Sequence, residues 1–446
     1  MINRRQLLTS VPAAAATVAG FPLYVKAQTL GRDGGVAASN RVTMATIGMG
    51  WMGGEHLGKF ARIKGCQYVA VCDIDTDVLA AGKAKVDKAY GNNSSVTPYR
   101  AYEEVLFRND IDAVTIALPD HWHGIASVMA LRNGKDVYGE KPLAHTFYEG
   151  KCIVDTQKKH NRIWQTGSWQ RSTENFRQAC ELVRNGRVGK ITRIEVGLPS
   201  GHADYNKNKD QTSPTAPPAT LNYDRWLGPA PDLAYCPARL PKTWRWNMNF
   251  GGGQLMDWIG HHGDIAHWGL GFDRTGPSEI EGHGDFPAAN AVWNTSTKYR
   301  IEALYEKGVT GYANDVAMTI AGGYPEIRSG AKWIGTDGWV WVDRGGFDAS
   351  NPEWKHYKNL PADLAKAKLY VSDNHWRNFL DCVKSRQPTI APVETAHHST
   401  IPGHLGLISM LVGRKLRWNV KHEKILGDHA ASELLTRPYR APWHLA

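Results

Sequence analysis

The densest group of residues that could move protons lies in the second half of the chain. Asp257, His261 and Asp264 are four and three residues apart, so a helix that begins near Leu255 would carry all three on one face. Two carboxylates beside one imidazole fix the tautomer of the ring and raise its basicity. This spacing predicts a general acid or base that works near neutral pH, with His261 as the group that carries the proton.

Glycines and one acid near the start of the chain form a second group. An apolar, β-branched run over 41–47 leads into the G-x-G-x-x-G pattern of 48–53, and a helical pattern follows. There the first glycine permits a tight turn, the second lets backbone N–H groups approach a pyrophosphate, and the third lets the helix pack on the strand. The next apolar run ends in Asp73, 20 residues after the last glycine, where a carboxylate accepts hydrogen bonds from ribose hydroxyls and repels a 2′-phosphate. The pattern predicts an NAD site, with NADP less favoured, built from Gly48, Gly50, Trp51, Met52, Gly53 and Asp73.

Strand and helix patterns alternate around these glycines. Apolar runs over 113–118 and 136–138 end in Pro119 and in Glu140-Lys141, and helical patterns separate them. Such alternation predicts a parallel, doubly wound sheet whose ligand lies at the carboxyl ends of the strands. The residues at these strand ends should therefore converge on one cleft.

The motifs taken together resemble one known family. The glycine turn, Asp73, the Leu-Pro-Asp-x-x-His run that ends at His123, and the Glu-Lys-Pro run at 140–142 are similar to the motifs of the Gfo/Idh/MocA oxidoreductases. The resemblance covers most of 41–420. It implies an N-terminal Rossmann dinucleotide-binding domain, followed by an α/β domain with a large, mostly antiparallel open sheet. The expected divisions of the chain are a signal peptide, a Rossmann domain and a substrate-binding catalytic domain, over 1–27, 28–165 and 166–446.

The resemblance also implies a catalytic set. It consists of Lys141, Asp257 and His261: His261 takes the hydroxyl proton as hydride leaves, Lys141 stabilises the developing oxygen charge, and Asp257 orients His261 or binds a second hydroxyl. The spacing departs from the family at one point, because Gly260 follows Asp257 by three residues where two is usual. The implied cofactor contacts beyond the glycine turn are Pro119, His123, Glu140, Lys141, Gln170 and Arg171.

Several of these residues have a plainer interpretation. Arg171 could form a capping or surface ion pair instead of reaching the nicotinamide. Histidines near 121 and 261 could bind a metal, but packing interactions explain such residues more often, and we predict no metal. The polar, Pro-rich segment 201–218 and the tryptophans after it are predicted to cross the active site and stack on sugar rings. Each of those tryptophans could equally belong to the core.

The first residues predict a targeting signal. Arg4 and Arg5 open an acid-free stretch that closes on a small-residue cleavage pattern at 25–27, which is typical of twin-arginine export to the periplasm. Because that route carries folded proteins, it favours a cofactor acquired before export. Three of the ten net positive charges lie in this segment, and no basic run elsewhere indicates nucleic-acid binding or stable membrane association after export.

Composition excludes several classes of protein. With 446 residues, 42% of them hydrophobic and 22% charged, the chain is neither disordered nor a small disulfide scaffold. The six cysteines lack C-x-x-C spacing and are expected as single buried thiols. An open sheet leaves a large face to cover, so we expect a homo-oligomer, and the segment 415–446 could be an arm that covers a neighbouring subunit.

Three hypotheses follow for the function. The leading one is an NAD-dependent oxidoreductase that acts on a secondary hydroxyl of a sugar, glycoside or polyol. Its cofactor should be tightly bound, because free NAD does not circulate in the periplasm. A redox-neutral glycoside hydrolase, which oxidises a hydroxyl transiently and eliminates the aglycone, could use the same residues. A non-catalytic sugar-binding protein is disfavoured, since Lys141, Asp257 and His261 are all present.

Overall fold

The computed structural model describes residues 36–91, 96–203, 209–310, 312, 314–356 and 367–445. The chain divides into two compact units, 1–41 and 42–446. In the first unit the described residues form a short 3₁₀ turn, Ala38–Asn40. The expected signal peptide, 1–27, lies outside the described residues.

Six strands form a parallel sheet in the first part of the second unit. Their bounds are β1 Val42–Ile47, β2 Cys66–Cys72, β3 Thr97–Tyr99, β4 Ala113–Ile116, β5 Asp136–Gly139 and β6 Trp164–Thr166. All residues of β4 and β5 are buried, as expected of strands covered on both faces. The strand order is β3-β2-β1-β4-β5-β6, so the order reverses between β1 and β4 and leaves a crevice at the carboxyl ends. The predicted Rossmann sheet is confirmed.

Five helices connect these strands. They are α1 Trp51–Phe60, α2 Thr76–Ala89, α3 Tyr102–Leu106, α4 Asp120–Arg132 and α5 Phe147–His160. Because α1 begins directly after Gly50, its unpaired N-terminal N–H groups and its dipole are available to an anion at the end of β1. In α5, a capping box pairs Thr146 with Glu149 and fixes the start of the helix.

Nine strands form the second sheet. Their bounds are β7 Ile191–Leu198, β8 Glu279–Asp285, β9 Lys298–Tyr305, β10 Val316–Gly322, β11 Gly330–Gly335, β12 Gly338–Val342, β13 Phe347–Ala349, β14 Leu416–Asn419 and β15 Lys424–Ile425. The order is β13-β12-β11-β7-β10-β9-β8-β14-β15, with β7 and β10 parallel and the other described neighbours antiparallel. In β9 every second residue from Tyr299 to Tyr305 is buried, which is typical of a sheet with one covered face. The predicted large, mostly antiparallel sheet is confirmed.

The remaining helices are α6 Glu174–Arg184, α7 Tyr223–Leu227, α8 Gly253–Trp258, α9 Asp264–Leu270, α10 Lys307–Thr310, α11 His375–Ser385, α12 Val393–Val412 and α13 His429–Glu433. A π-helical turn, Ile259–Gly263, joins α8 to α9. α9 packs against the second sheet, where the Trp333 indole N–H donates to the Ala266 carbonyl over 3.2 Å.

The C-terminal segment corrects one expectation, because it does not extend away from its own chain. β14 pairs with β8 inside the second sheet. Further on, Arg437 and Tyr439 both bind the Glu149 carboxylate, and Trp443 packs edge-on against Trp122 at 4.7 Å between ring centroids. Glu149 is fully buried, so it needs these partners from the tail.

Candidate active site

The glycine turn after β1 leaves no room for side chains at two of its three glycines. Gly48 has φ +86°, and a Cβ there would collide with the Ala117 carbonyl, while a Cβ on Gly53 would collide with the Gly48 carbonyl. Gly50 differs, because an added Cβ would meet nothing within 4 Å. The space beside Gly50 is therefore open for a ligand to approach the backbone.

A cleft of about 470 Å³ opens at the carboxyl ends of the parallel strands. The sequence-predicted residues that line it are Gly48, Gly50, Trp51, Met52, Asp73, Pro119, Glu140 and Lys141. Another wall comes from 209–250, which we call the strap, through Leu221, Arg225, Trp226, Tyr235, Lys242, Trp244 and Arg245. Of the segment 201–218, Pro218 lines the cleft, as do Trp226 and Trp244 after it, whereas 204–208 lie outside the described residues. Stacking of these tryptophans on sugar rings stays a prediction.

Backbone and side-chain contacts hold the strap against the cleft. Leu221 forms a β-bridge with Asp75, and the Thr76 N–H donates to the Thr220 carbonyl over 3.0 Å. At another point, Lys242 Nζ lies 4.7 Å from the centroid of the Trp51 ring. Trp226 and Trp244 are both at least nine-tenths buried although they line the cleft, so they serve the core of the strap as well.

Asp73 directly follows β2 and lines the cleft. Its Oδ2 accepts the Met49 N–H over 2.7 Å and its Oδ1 accepts the Asp75 N–H over 2.9 Å. Burial raises the pKa of this carboxyl, and the two backbone donors oppose that rise. Asp73 thus lies in the cleft at the end of the second strand, where the NAD prediction places an acid that binds ribose hydroxyls.

Glu140 is positioned by a side chain that sequence reasoning missed. The Trp376 indole N–H donates to His56 Nδ1 over 3.0 Å, so in the neutral ring Nε2 carries the proton and donates it to Glu140 Oε1 over 2.6 Å. Burial opposes ionisation of Glu140, but its bond with His56 outweighs burial and lowers the pKa. The only sequence signal is His56 on the helix that follows the glycine turn, six residues after Gly50.

Lys141 and Asp257 meet although 116 residues separate them. Lys141 Nζ donates to Asp257 Oδ1 over 2.6 Å and to the Asp257 carbonyl over 3.1 Å, and Arg245 Nε lies 3.5 Å from the same Oδ1. Burial opposes ionisation of Asp257, but the two cations outweigh it and lower the pKa. Gly260 permits the close packing, since a Cβ there would lie 3.1 Å from Lys141 Cβ.

His261 corrects the prediction of an imidazole between two carboxylates. The π-helical turn adds one residue to this part of the helix, which changes the phase of side chains beyond Trp258 and accommodates the unusual offset of Gly260. Asp264 binds Arg171 instead, and His261 Nδ1 is buried with no hydrogen-bond partner among the described residues. Burial, then the charges of Lys141 and Arg344, lower the pKa of His261 well below its usual range, so the ring is neutral at neutral pH. The expected rise in basicity is wrong.

Arg171 forms a buried ion-pair cluster. Its Nε lies 2.7 Å from Asp264 Oδ2 and one terminal nitrogen lies 2.7 Å from Asp273 Oδ1, with 3% of the side chain exposed. These ion pairs agree with the plainer interpretation of Arg171, although the pair is buried and not on the surface, and its contact with the cofactor stays a prediction. Gln170 is buried beside it, and neither polar atom of its side chain has a partner in the described part of the chain. Its role toward the cofactor stays a prediction.

His123 lies behind the cleft rather than on its wall. Its Nδ1 is 2.7 Å from the Pro142 carbonyl and its Nε2 is 2.9 Å from the Leu118 carbonyl. The ring thus ties together the segments that follow β4 and β5. These contacts give His123 a positioning role, and its direct contact with the cofactor stays a prediction.

Asp120 is a cleft residue that the sequence prediction left out. Burial raises its pKa to about 8, against the lowering effect of Arg245, while Asp257 raises it further. At neutral pH this carboxyl is therefore mostly protonated and can donate a hydrogen bond. Its signal in the sequence is its place directly after Pro119 at a strand end.

The histidines considered as metal ligands have other partners. In the described part of the chain, no group of three or more His, Cys, Asp or Glu side chains is arranged to hold a metal ion. Those partners are the Trp226 carbonyl for His121, the Gly197 carbonyl for His262 and the Tyr305 hydroxyl for His267.

The six cysteines are free thiols, five of them buried, as expected. Among the described helices, none has the length and apolar character needed to cross a membrane.

A glycine turn, an acid after the second strand and a cleft at the switch point define a dinucleotide-binding protein, and the open space beside Gly50 and the placement of Asp73 fit NAD. Residues 42–168 match the family model described as "Oxidoreductase family, NAD-binding Rossmann fold", and residues 172–445 match "Oxidoreductase family, C-terminal alpha/beta domain". The chain belongs to the Gfo/Idh/MocA oxidoreductase family, and its residues 42–168 form an NAD-binding Rossmann domain.

Curated relatives match over part of their length. "Glycosyl hydrolase family 109 protein 2" of Shewanella sp. (strain ANA-3) is 34% identical over 164 residues, which is 36% of this chain and 36% of that protein. "Inositol 2-dehydrogenase" of Salmonella typhimurium is 30% identical over 146 residues, which is 32% of this chain and 42% of that protein. The chain thus spans well under half the length of these relatives.

Solved structures share the fold over nearly their whole length. The WlbA dehydrogenase from Bordetella pertussis, in complex with NADH and UDP-GlcNAcA, has a TM-score of 0.59 at 15% identity and covers 85% of this chain and 99% of that one. Myo-inositol 2-dehydrogenase from Lactobacillus plantarum has a TM-score of 0.56 at 18% identity, covering 84% and 99%. At these identities the likeness concerns the fold.

Proposed function

We propose that this protein transfers hydride between a secondary hydroxyl of a sugar, glycoside or polyol and a tightly held NAD. When bound, the nicotinamide supplies the hydride acceptor. The observation that carries the proposal is the 2.6 Å pair between Lys141 Nζ and Asp257 Oδ1, which brings the Glu-Lys-Pro motif and the catalytic segment together at the nucleotide cleft. The inositol dehydrogenase among the relatives supports this substrate class.

The ion pair suits a group that stabilises charge on oxygen. Lys141 keeps hydrogen-bond donors at the cleft, where they can bind the reacting oxygen as it gains negative charge. Asp257, held ionised by its cations, fixes the position of the ammonium group. The pair therefore orients the substrate hydroxyl without itself moving a proton.

His261 is the proposed proton acceptor. Its ring is neutral because its pKa is depressed, first by burial, so a nitrogen lone pair is free to accept the hydroxyl proton. Asp120, mostly protonated, is a candidate hydrogen-bond donor to a second hydroxyl of the substrate. These roles follow from protonation states that differ from those of free side chains.

The strap supports tight retention of the nucleotide. Its bridge to Asp75 and the contact between Lys242 and Trp51 lie at the loops that a bound dinucleotide would contact. Native mass spectrometry of the purified protein should show one dinucleotide per chain. Incubation with a panel of sugars, glycosides and polyols should then produce the near-ultraviolet band of reduced nicotinamide. Bound NAD that no member of the panel reduces would contradict the proposal.

A second candidate is a redox-neutral glycoside hydrolase. The observation that favours it is the similarity to a protein named for glycosyl hydrolase family 109. Release of nitrophenol from a nitrophenyl glycoside, with no net reduced nicotinamide, would identify this reaction. Net reduction with no release of nitrophenol would identify the dehydrogenase.

Two properties of the whole protein are also proposed. Arg4 and Arg5 support twin-arginine export, and a variant with both changed to lysine should remain in the cytoplasmic fraction of the cell. The side chains of β9 that are not buried, among them Lys298 and Glu302, lie on the second sheet's open face, and we propose a homo-oligomer that covers this face. Native mass spectrometry counts the subunits directly.

A further inference from the structure

Arg344 is a cation near the proposed catalytic residues that has no carboxylate partner. Its guanidinium carbon lies 4.8 Å from the centroid of the Trp169 ring and 4.6 Å from that of Trp258. None of the described residues forms an ion pair or hydrogen bond with it, and part of its surface is exposed to solvent. Stacking engages the face of a guanidinium, so its in-plane N–H donors stay free for a ligand.

The neighbours of Arg344 place it beside the proposed catalytic residues. Trp258 directly follows Asp257, and its ring also packs on His261 with 5.6 Å between centroids. The charge of Arg344 contributes to the low pKa of His261. Burial lowers the pKa of Arg344 itself, and the charge of Asp257 opposes that lowering. One indole thus links the base and the unpaired cation.

The charges around the site do not balance. Three cations, Lys141, Arg245 and Arg344, lie around two carboxylates whose pKa values are lowered, Asp257 and Glu140. Asp120 does not compensate, because burial raises its pKa to about 8 and keeps it mostly protonated at neutral pH. An excess of positive charge remains for an anion to neutralise.

The acid beside Arg344 in the sequence is used elsewhere. Asp343 Oδ1 accepts the Gly345 N–H over 2.7 Å, which closes the turn between β12 and β13. The turn therefore presents the guanidinium without pairing it.

We propose that Arg344 binds a carboxylate of the substrate, so that the protein acts on a sugar acid or a glycoside of one rather than on a neutral sugar. This inference rests on the proposed function and narrows its substrate class. The planar guanidinium fork matches the two coplanar oxygens of a carboxylate. The single positive charge of Arg344 also matches the single negative charge of a carboxylate, whereas a phosphate ester carries nearly two negative charges.

The test compares matched substrates on the full chain with its bound cofactor. Glucuronate is compared with glucose, and galacturonate is compared with galactose. Glucose 6-phosphate tests whether a phosphate ester is preferred to a carboxylate. The variants are Arg344→Gln and Arg344→Lys, and the control is Arg328→Gln, which removes a guanidinium that stacks on a different indole, that of Trp341, and pairs with Asp348. The readouts are kcat/KM from nicotinamide reduction and binding by titration calorimetry.

We expect the wild type to prefer a uronate over its neutral parent by about 10- to 100-fold in kcat/KM, the value of a charge-assisted hydrogen bond. Arg344→Gln should lose that preference, Arg344→Lys should keep part of it, and Arg328→Gln should keep all of it. Equal use of uronate and neutral sugar by the wild type, or a preference for the 6-phosphate, would overturn the inference alone. If no sugar reduces the bound NAD, the proposed function fails, and the calorimetric difference between wild type and Arg344→Gln still decides the carboxylate site.

Discussion

At the scale of single residues, a substitution at Gly50 should weaken nucleotide binding without changing the stability of the fold. A methyl group at this position meets nothing within 4 Å, so Gly50→Ala should leave the stability of the NAD-free protein unchanged. The same methyl group occupies the space that a pyrophosphate needs, so the purified variant should lose its bound NAD. Native mass spectrometry measures the nucleotide content, and thermal melting measures stability.

Gly308→Ala is the control for that substitution. An added Cβ at Gly308 also meets nothing within 4 Å, and Gly308 lies on α10 and does not line the cleft. This variant should keep both its stability and its NAD. A Gly50→Ala protein with full NAD content would show that the nucleotide lies elsewhere.

Asp120 predicts a dependence of stability on pH. Its pKa is raised from 3.8 to about 8, mainly by burial, so between these values the folded chain keeps a proton that the unfolded chain has released. The contribution of this proton to the free energy of unfolding is fully present below the pKa of Asp120 in the unfolded chain. It is lost as the pH rises from about 4 through about 8. Asp120→Asn stays neutral and should lack this loss, so its free energy of unfolding should increase relative to the wild type as the pH rises.

Denaturant unfolding at a series of pH values measures this difference. Asp381→Asn, which changes an exposed acid on α11, should give a curve parallel to the wild type. A constant difference between Asp120→Asn and the wild type across the range would mean that Asp120 is ionised in the folded protein.

Single residues also show how far the sequence leads. The glycine turn, Asp73 and Lys141 could be placed at one cleft because their roles depend on local spacing and on strand ends. The protonation state of His261 could not be predicted, since the charges that set it come from Lys141 and Arg344, at distant positions in the chain. Likewise Arg171 finds Asp264 93 positions away, and no local pattern indicates that pair.

At the scale of elements, the π-helical turn explains why a correct helix prediction gave a wrong arrangement of side chains. Residues four and seven apart share a face only while the helix keeps 3.6 residues per turn. The turn over Ile259–Gly263 breaks that period, and Asp264 leaves the catalytic group.

The strap predicts slow release of the cofactor. Trp51 is 65% exposed and reaches Lys242, so Trp51→Ala removes one contact between the glycine turn and the strap. An exposed cation–π pair contributes about 0.5–1 kcal/mol, so NAD should dissociate about two- to fivefold faster. Dissociation is followed by native mass spectrometry after dilution into buffer without NAD.

Phe107→Ala serves as the control for the strap. Phe107 is 63% exposed but does not line the cleft, so its removal should leave the release of NAD unchanged. Equal release from Trp51→Ala and the wild type would mean that the strap does not retain the cofactor through this contact.

At the scale of the whole molecule, the C-terminal tail stabilises its own chain. Arg437→Ala leaves the fully buried Glu149 with the Tyr439 hydroxyl and without its cation. Removing one partner of a buried ion pair costs about 3–5 kcal/mol, and the free energy of unfolding should fall by this order. Denaturant titration measures the change.

Arg440→Ala is the matched control within the same tail. Its partner Asp224 is 76% exposed, and exposed pairs contribute about 0–1 kcal/mol, so stability should barely change. Equal losses in the two variants would mean that Glu149 is not a charged, buried group.

The two sheets could be predicted from the sequence, because alternating patterns and the family motifs both indicate them. The tail could not, since its segment 437–443 has no regular pattern, and its place depends on a buried carboxylate nearly 290 positions earlier. The same holds for the strap, whose tryptophans serve both the core and the cleft.

The central claim is that Lys141, held by Asp257, takes part in oxidation of a substrate hydroxyl at the nucleotide cleft. The direct test mixes the NAD-loaded protein with a substrate from the panel and follows reduction of the bound nicotinamide in a single turnover. Lys141→Ala should slow this step by about 100- to 1000-fold while NAD stays bound, and Lys158→Ala, which breaks an exposed ion pair with Glu394, should not slow it. Reduction at the wild-type rate by an NAD-loaded Lys141→Ala protein would contradict the account.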